Sequence, residues 1–190
     1  MKKFISLLLC GVLSAGILAG CGKTDNLPTT VPTTETVTEE TKGTASYESA
    51  EALLKAVHAA MKEEFPAAGG DYDNSVDDAA GAVNIANADN LSYLLTFPAN
   101  DAVKLDGAAS LMHMMNGNTF TCGAFHVANA DDVSAIVEDI HSEISGKHWM
   151  CGFPDKMFLA TNGSLIVSVY GDEDLVNTFR DKLFAADAGF

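Results

Sequence analysis

The sequence predicts an α+β domain: a four-stranded antiparallel sheet built from a ββα unit used twice, helices on one face, and an additional N-terminal helix. Two observations carry that prediction. Asn116-Gly117 and Asn162-Gly163 each interrupt a pair of apolar runs, and Asn-Gly supplies the backbone freedom that tight hairpin turns require. Each hairpin is followed by a stretch with acids at its start and apolar residues at helical spacing. A hairpin and its helix share an apolar face that neither buries alone, so two such units pack naturally side by side.

The elements follow in order. A first helix is expected from about Glu48 to Phe65, capped by Ser46 or Ser49, with Ala50, Leu53, Leu54, Val57 and Met61 on one face. Pro66 and Gly69-Gly70 end it. Residues 71–90 are rich in Asp, Asn, Ala and Gly, which predicts irregular chain with one short helical turn. Leu91, Tyr93, Leu94, Leu95 and Phe97 form a brief helix or an edge strand stopped by Pro98. The first hairpin joins 109–115 to 119–127. A two-residue loop at Asn116-Gly117 sets Leu111 opposite Cys122 and His113 opposite Phe120. A helix from Asn129 or Ala130 to about Ser145 presents Val133, Ile136, Val137, Ile140 and Ile144 on one face, and Gly146 closes it. The second hairpin joins 156–161 to 164–170. A closing helix runs from about Asp172 to Ala185 with Leu175, Val176, Phe179 and Leu183 as its stripe.

Ahead of this domain lies an address. Lys2 and Lys3 precede the apolar run Phe4–Ala19, which is too short for a comfortable membrane span and ends in Leu18-Ala19-Gly20-Cys21. Small residues before a cysteine match the bacterial lipobox, in which the thiol carries diacylglycerol. Residues 1–20 therefore read as a lipoprotein signal peptide. Residues 21–46 read as the lipid anchor, on Cys21, and a disordered Thr/Pro-rich tether spanning about 25–30 Å. The single domain occupies 47–190. The expected location is the extracytoplasmic face of the cell membrane, held there by acyl chains such as palmitate on Cys21.

Charge narrows the partners. Lys and Arg number 11 against 26 Asp and Glu, a formal net charge of −15, and loss of Lys2 and Lys3 with the signal deepens it. Nucleic acid and anionic lipid head groups need clustered Lys and Arg, and Arg180 is the only arginine. Membrane attachment must come from the lipid. Of the 4 cysteines, Cys10 leaves with the signal and Cys21 is modified. Cys122 and Cys151 remain, either as a disulfide or as buried thiols.

Two sets of residues are candidate ligands. Met112, His113, Met114, Met115, Cys122, His126, His148, Met150 and Cys151 offer thioether, thiolate and imidazole to a soft metal or haem, with His113, Cys122, His126, His148 and Cys151 as the alternative metal set. Their spacing fits no established zinc pattern, and methionines and cysteines packing the sheet with histidines at its wetter rim are the preferred account. A Cys/His nucleophile would pair Cys122 or Cys151 with His126, His141 or His148, but the sequence supplies no group to orient such a pair. The acidic run Asp71–Asp78 lacks the Gly and Glu of a calcium loop, with Val76 and Ala82 in their places, and reads as solvated.

Lipobox, tether, opening helix, apolar cluster and two hairpin-helix steps occur in an order that resembles a family of uncharacterised lipoproteins of Gram-positive bacteria, known only as a domain of unknown function. The resemblance rests on Cys122 to Val133 and on Asn162 to Tyr170, and it covers roughly 47–185. Phe153-Pro154 stands where members carry Tyr-Pro, and His141 to Lys147 lacks their arginine. It implies no activity, cofactor or catalytic residue. The chain is therefore expected to be a non-enzymatic binding or envelope accessory module with no cofactor. Its partners are the membrane, through Cys21, and a protein or small-molecule ligand held at an exposed sheet face or around Trp149.

Overall fold

The computed structural model describes residues 33–36, 47–61, 64–150 and 152–190. The expected signal peptide, Cys21 and most of the tether lie outside them. The elements are β1 (Thr33–Thr36), α1 (Ala50–Met61), β2 (Ala67–Gly69), β3 (Val76–Asp77), β4 (Gly81–Ala82), α2 (Ala88–Leu95), β5 (Leu105–His113), β6 (Phe120–Val127), α3 (Val133–Gly146), β7 (Lys156–Asn162), β8 (Leu165–Gly171) and α4 (Glu173–Ala186). Short 3-10 turns precede β5 and α3. Ser49 caps α1 by accepting from the Ala52 N–H at 3.1 Å. Asp172 caps α4 by accepting from Asp174 and Leu175.

The domain is α+β, as its pattern predicts, but the sheet is larger than four strands. Eight strands join one sheet in the order β1-β7-β8-β6-β5-β2-β3, with β4 also paired to β5. The pairings are antiparallel except β1 with β7, where Thr33–Thr36 of the expected tether lies parallel to the outer edge. Strands β3 and β4 come from the 71–90 segment expected to be irregular, and β2 from the stretch before it, expected only to end the first helix. They are two or three residues long and carry few large apolar side chains, so they leave no periodic signal. Leu91 to Leu95 of the 91–97 cluster belong to a helix, α2, which begins upstream at Ala88 behind an Asn87 cap, and Phe97 follows its Thr96 C-cap.

Helices cover both faces, which corrects the one-face expectation. On one side α1 and α4 pack Leu53, Leu54, Val57, Val176, Phe179 and Leu183 against Phe120, Cys122, Phe158, Leu165, Val167 and Val169. On the other, α2 and α3 pack Leu91, Leu95, Ile136, Ile140 and Ile144 against Phe125, Met157, Leu159, Ile166 and Tyr170. Every residue of β7 and β8 is consequently buried. The order hairpin-helix does recur, yet α3 and α4 lie on opposite faces, so the two halves are not copies of one packed unit. Since β6 and β7 are both antiparallel to β8, they are parallel to each other, and α3 is the crossover that passes over β8 to join them. A crossover and a terminal helix on the same face would compete for one apolar surface.

The first hairpin has the expected register, with Leu111 opposite Cys122, although its strands stop earlier and 114–119 form a wider loop. The second turn is shifted. Asn162 pairs with Leu165, so the loop is Gly163-Ser164, with Gly163 at φ 58 in the first central position as type II′ turns require.

Asp71 is the exception in the acidic run: it is 4 % exposed while Asp73, Asp77 and Asp78 face solvent. Its Oδ1 accepts from the Asp73 and Asn74 N–H groups at 3.0 and 2.9 Å, and its Oδ2 accepts from the Asn84 N–H at 2.7 Å. The carboxylate thus ties the β2-β3 loop to the chain after β4, with both oxygens engaged by backbone N–H groups. Burial alone would raise its pKa, but the hydrogen bonds from Asn84, Asn74 and Asp73 outweigh it and hold the carboxyl below the usual range. A folded-state pKa below the unfolded one stabilises the fold above about pH 4 and is lost as pH falls through the folded value. Asp71→Asn points an amide N–H at the Asn84 N–H, so it should cost about 1–3 kcal/mol near neutrality. The deficit should shrink as urea midpoints are followed down through pH 4 and below. An equal deficit at every pH would contradict the assignment.

Candidate functional site

The chain leaves a concave surface between α2, the β5-β6 loop and the segment after α3. Helix α3 ends at Gly146 and α2 is only 8 residues long, and Asn118 of the β5-β6 loop donates to the Gly152 carbonyl oxygen at 3.1 Å. A groove of about 900 Å³ opens there, a volume suited to a small-molecule ligand. Its walls come from α2 (Asp89, Ser92, Tyr93), the end of β5 (Met112, His113), the β5-β6 loop (Met114 to Asn118) and the segment Lys147 to Met150, with Thr121 and Tyr170 also lining it.

The lining is apolar and unusually open. Tyr93 is 73 % exposed, Met115 80 % and Met150 94 %, and Met114 is half exposed. Tyr72 and Tyr93 extend the surface, their ring centroids 6.1 Å apart. Methionine is a polarizable, adaptable contact surface, and exposed clusters of it are used at binding faces. Trp149 is half buried, edge-on to Tyr170 with centroids 5.2 Å apart.

One polar chain crosses this surface. Lys147 Nζ donates to Thr96 Oγ1 at 2.7 Å, and that oxygen lies 3.1 Å from the Tyr170 hydroxyl. The same ammonium sits 4.7 Å from the Trp149 ring centroid, over its π face. Thr96 takes a left-handed conformation, φ 52 and ψ 39, as the C-cap of α2, and is buried beside the groove-lining Lys147 and Tyr170. Burial pushes the Lys147 amine below its ordinary pKa and the Tyr170 phenol above its own, with hydrogen bonds from Thr96 and Thr121 opposing the second shift. No carboxylate pairs with Lys147 among the described residues, whereas Lys55 and Lys104 are paired with Glu51 and Asp101.

The structure separates the residues that the sequence grouped. His113 and His148 line the groove with Met112, Met114, Met115 and Met150. His113 is already engaged: its Nδ1 accepts from the Met115 and Asn116 N–H groups, both at 3.2 Å, and its ring stacks on Phe65 at 5.9 Å. Cys122 lies under α1 and α4 on the opposite face, a free thiol with 0 % exposure. Burial raises its pKa well above the ordinary thiol value, and its one polar contact is the Gly123 carbonyl oxygen at 3.9 Å. His126 sits further along β6 against Asp106. Cys151 lies outside the described residues. Among the described residues no group of three or more His, Cys, Asp or Glu side chains could hold a metal ion, and Cys122 faces no histidine base.

Sequence reasoning drew attention to Trp149 and the methionines but missed Lys147, Thr96 and Tyr170. The signal available was the run Lys147-His148-Trp149-Met150 between two regular elements. The fold and groove define an α+β domain with a core on each side of its sheet and an open, largely apolar groove. No protein-family model matches the chain, and neither does any curated protein or solved structure. Among the described residues no helix is long and apolar enough to cross a membrane.

Proposed function

We propose that this chain is a lipoprotein of the Gram-positive type, anchored through Cys21 on the extracytoplasmic face of the membrane, and that its domain works by binding a ligand rather than by catalysis. The groove carries the reading: Tyr93, Met114, Met115, Trp149 and Met150 present a contiguous apolar surface that the fold leaves open. The contact face is the Trp149 region, since both sheet faces are packed under helices. Anchoring is supported by the lipobox and by a charge balance that gives the domain no affinity of its own for an anionic bilayer.

One preparation tests both parts. In cells fed labelled palmitate the full chain should take up label and its Cys21→Ser variant should not; equal labelling would remove the anchor. Trp149 is the single tryptophan and lines the groove, so its emission reports occupancy directly. A small-molecule extract of the producing cells should shift that emission saturably. No shift at any concentration would remove the groove as a binding site.

A further inference from the structure

The lining of the groove lacks the acidic excess of the chain, with one lysine set against one aspartate. The whole sequence has a formal charge of −15, yet Asp89 is the only acid among the lining residues, beside Lys147, His113 and His148. Lys147 is held in place rather than dangling: Thr96 Oγ1 takes one of its three donors, and the Trp149 ring lies beneath it. Lys147 lines the cavity, and no protein carboxylate pairs with its ammonium among the described residues. A half-buried ammonium without a counter-ion is costly, and a bound anion would supply the missing charge and hydrogen bonds. The methionines and tyrosine around it offer nothing to a second charge but suit an apolar body.

On the reading that the groove is a binding site, we propose that its ligand is a small amphiphile with a single oxyanion head, such as a carboxylate, seated on Lys147, and an apolar body lying over Trp149 toward Met115 and Met150. The single cation sets the charge of the ligand, and the volume sets its size. A second copy of the chain is the weaker occupant, because two bodies of this net charge repel each other before any contact forms.

The test uses the lipidated full chain in phosphatidylcholine nanodiscs, with empty discs as blank, titrated with octanoate, 1-octanol and octylammonium while Trp149 emission is followed. Octanoate should bind at least tenfold more tightly than octylammonium. Lys147→Met keeps the stem and removes the charge, so it should weaken octanoate at least tenfold and leave 1-octanol within about twofold. Lys147→Arg should restore the preference for octanoate, and thermal melts of both variants should match the parent. Equal binding of the three probes, tightest binding of octylammonium, or octanoate affinity unmoved by Lys147→Met would each overturn the anionic ligand while leaving the groove a binding site. Failure of all three probes to move Trp149 emission would overturn the binding reading itself, and a dimer that buries Trp149 would assign the groove to a second copy.

Discussion

Replacing Phe120 with alanine should lower the unfolding free energy by about 3–5 kcal/mol, a loss typical of a fully buried aromatic side chain. Phe120 opens β6 with 0 % exposure. Its ring lies 4.7 Å from that of Phe65, which follows α1, and 5.7 Å from that of Phe179 on α4. One side chain therefore joins the sheet to the chain after the first helix and to the last helix. No neighbour can move in to refill the space, because Phe65 is itself held between Phe120 and His113 and Phe179 is fixed by its helix. Urea denaturation followed by far-ultraviolet circular dichroism measures the loss. A Phe120/Phe179 double-mutant cycle should show about 0.5–1.5 kcal/mol of coupling between the rings. A loss below about 1 kcal/mol for the single variant would mean that this core is not packed as described.

Gly171→Ala should cost about 3 kcal/mol or more, although it adds one methyl group. Gly171 ends β8 at φ 149, a conformation L side chains rarely adopt. A Cβ there would stand 2.2 Å from the Thr119 carbonyl oxygen and 2.7 Å from its carbon. That carbonyl is not free to turn aside, since it accepts from the Asp172 N–H at 2.8 Å, and Asp172 is the residue that caps α4. Backbone strain, overlap and loss of the α4 entry angle thus fall on one position. Gly107→Ala is the control: its Cβ would meet nothing nearer than His126 Cβ at 3.8 Å, so it should stay within about 0.5 kcal/mol of the parent. Similar melting shifts for the two variants would contradict the close approach at Gly171.

Particular residues show how far the pattern of the chain reaches. The stripe Ala50, Leu53, Leu54, Val57, Met61 and the stripe Val133, Ile136, Val137, Ile140, Ile144 are buried in full, because a helix on the outside of a sheet has one wet side and records the other in its spacing. The pairing of Leu111 with Cys122 was legible because β5 and β6 close over a short connection. The face each helix takes was not. Leu165, Val167 and Val169 point to one core while Ile166 and Tyr170 point to the other, and a strand buried on both sides has no polar alternation to show which helix covers which side.

The groove is likewise a product of assembly. Its residues come from α2, β5, the β5-β6 loop, β6, β8 and the chain after α3, so no window of sequence contains it. Local composition by itself determined the helical stripes, the two hairpins and the acidic balance, since each is written in residues close together in the chain. Only the tertiary structure decided that helices cover both faces, that Cys122 lies on the face away from the groove, and that Lys147 meets Thr96 and Trp149 at the groove. Those outcomes depend on which surfaces are left uncovered once helices of unequal length have packed, and that is a property of the whole chain rather than of any segment.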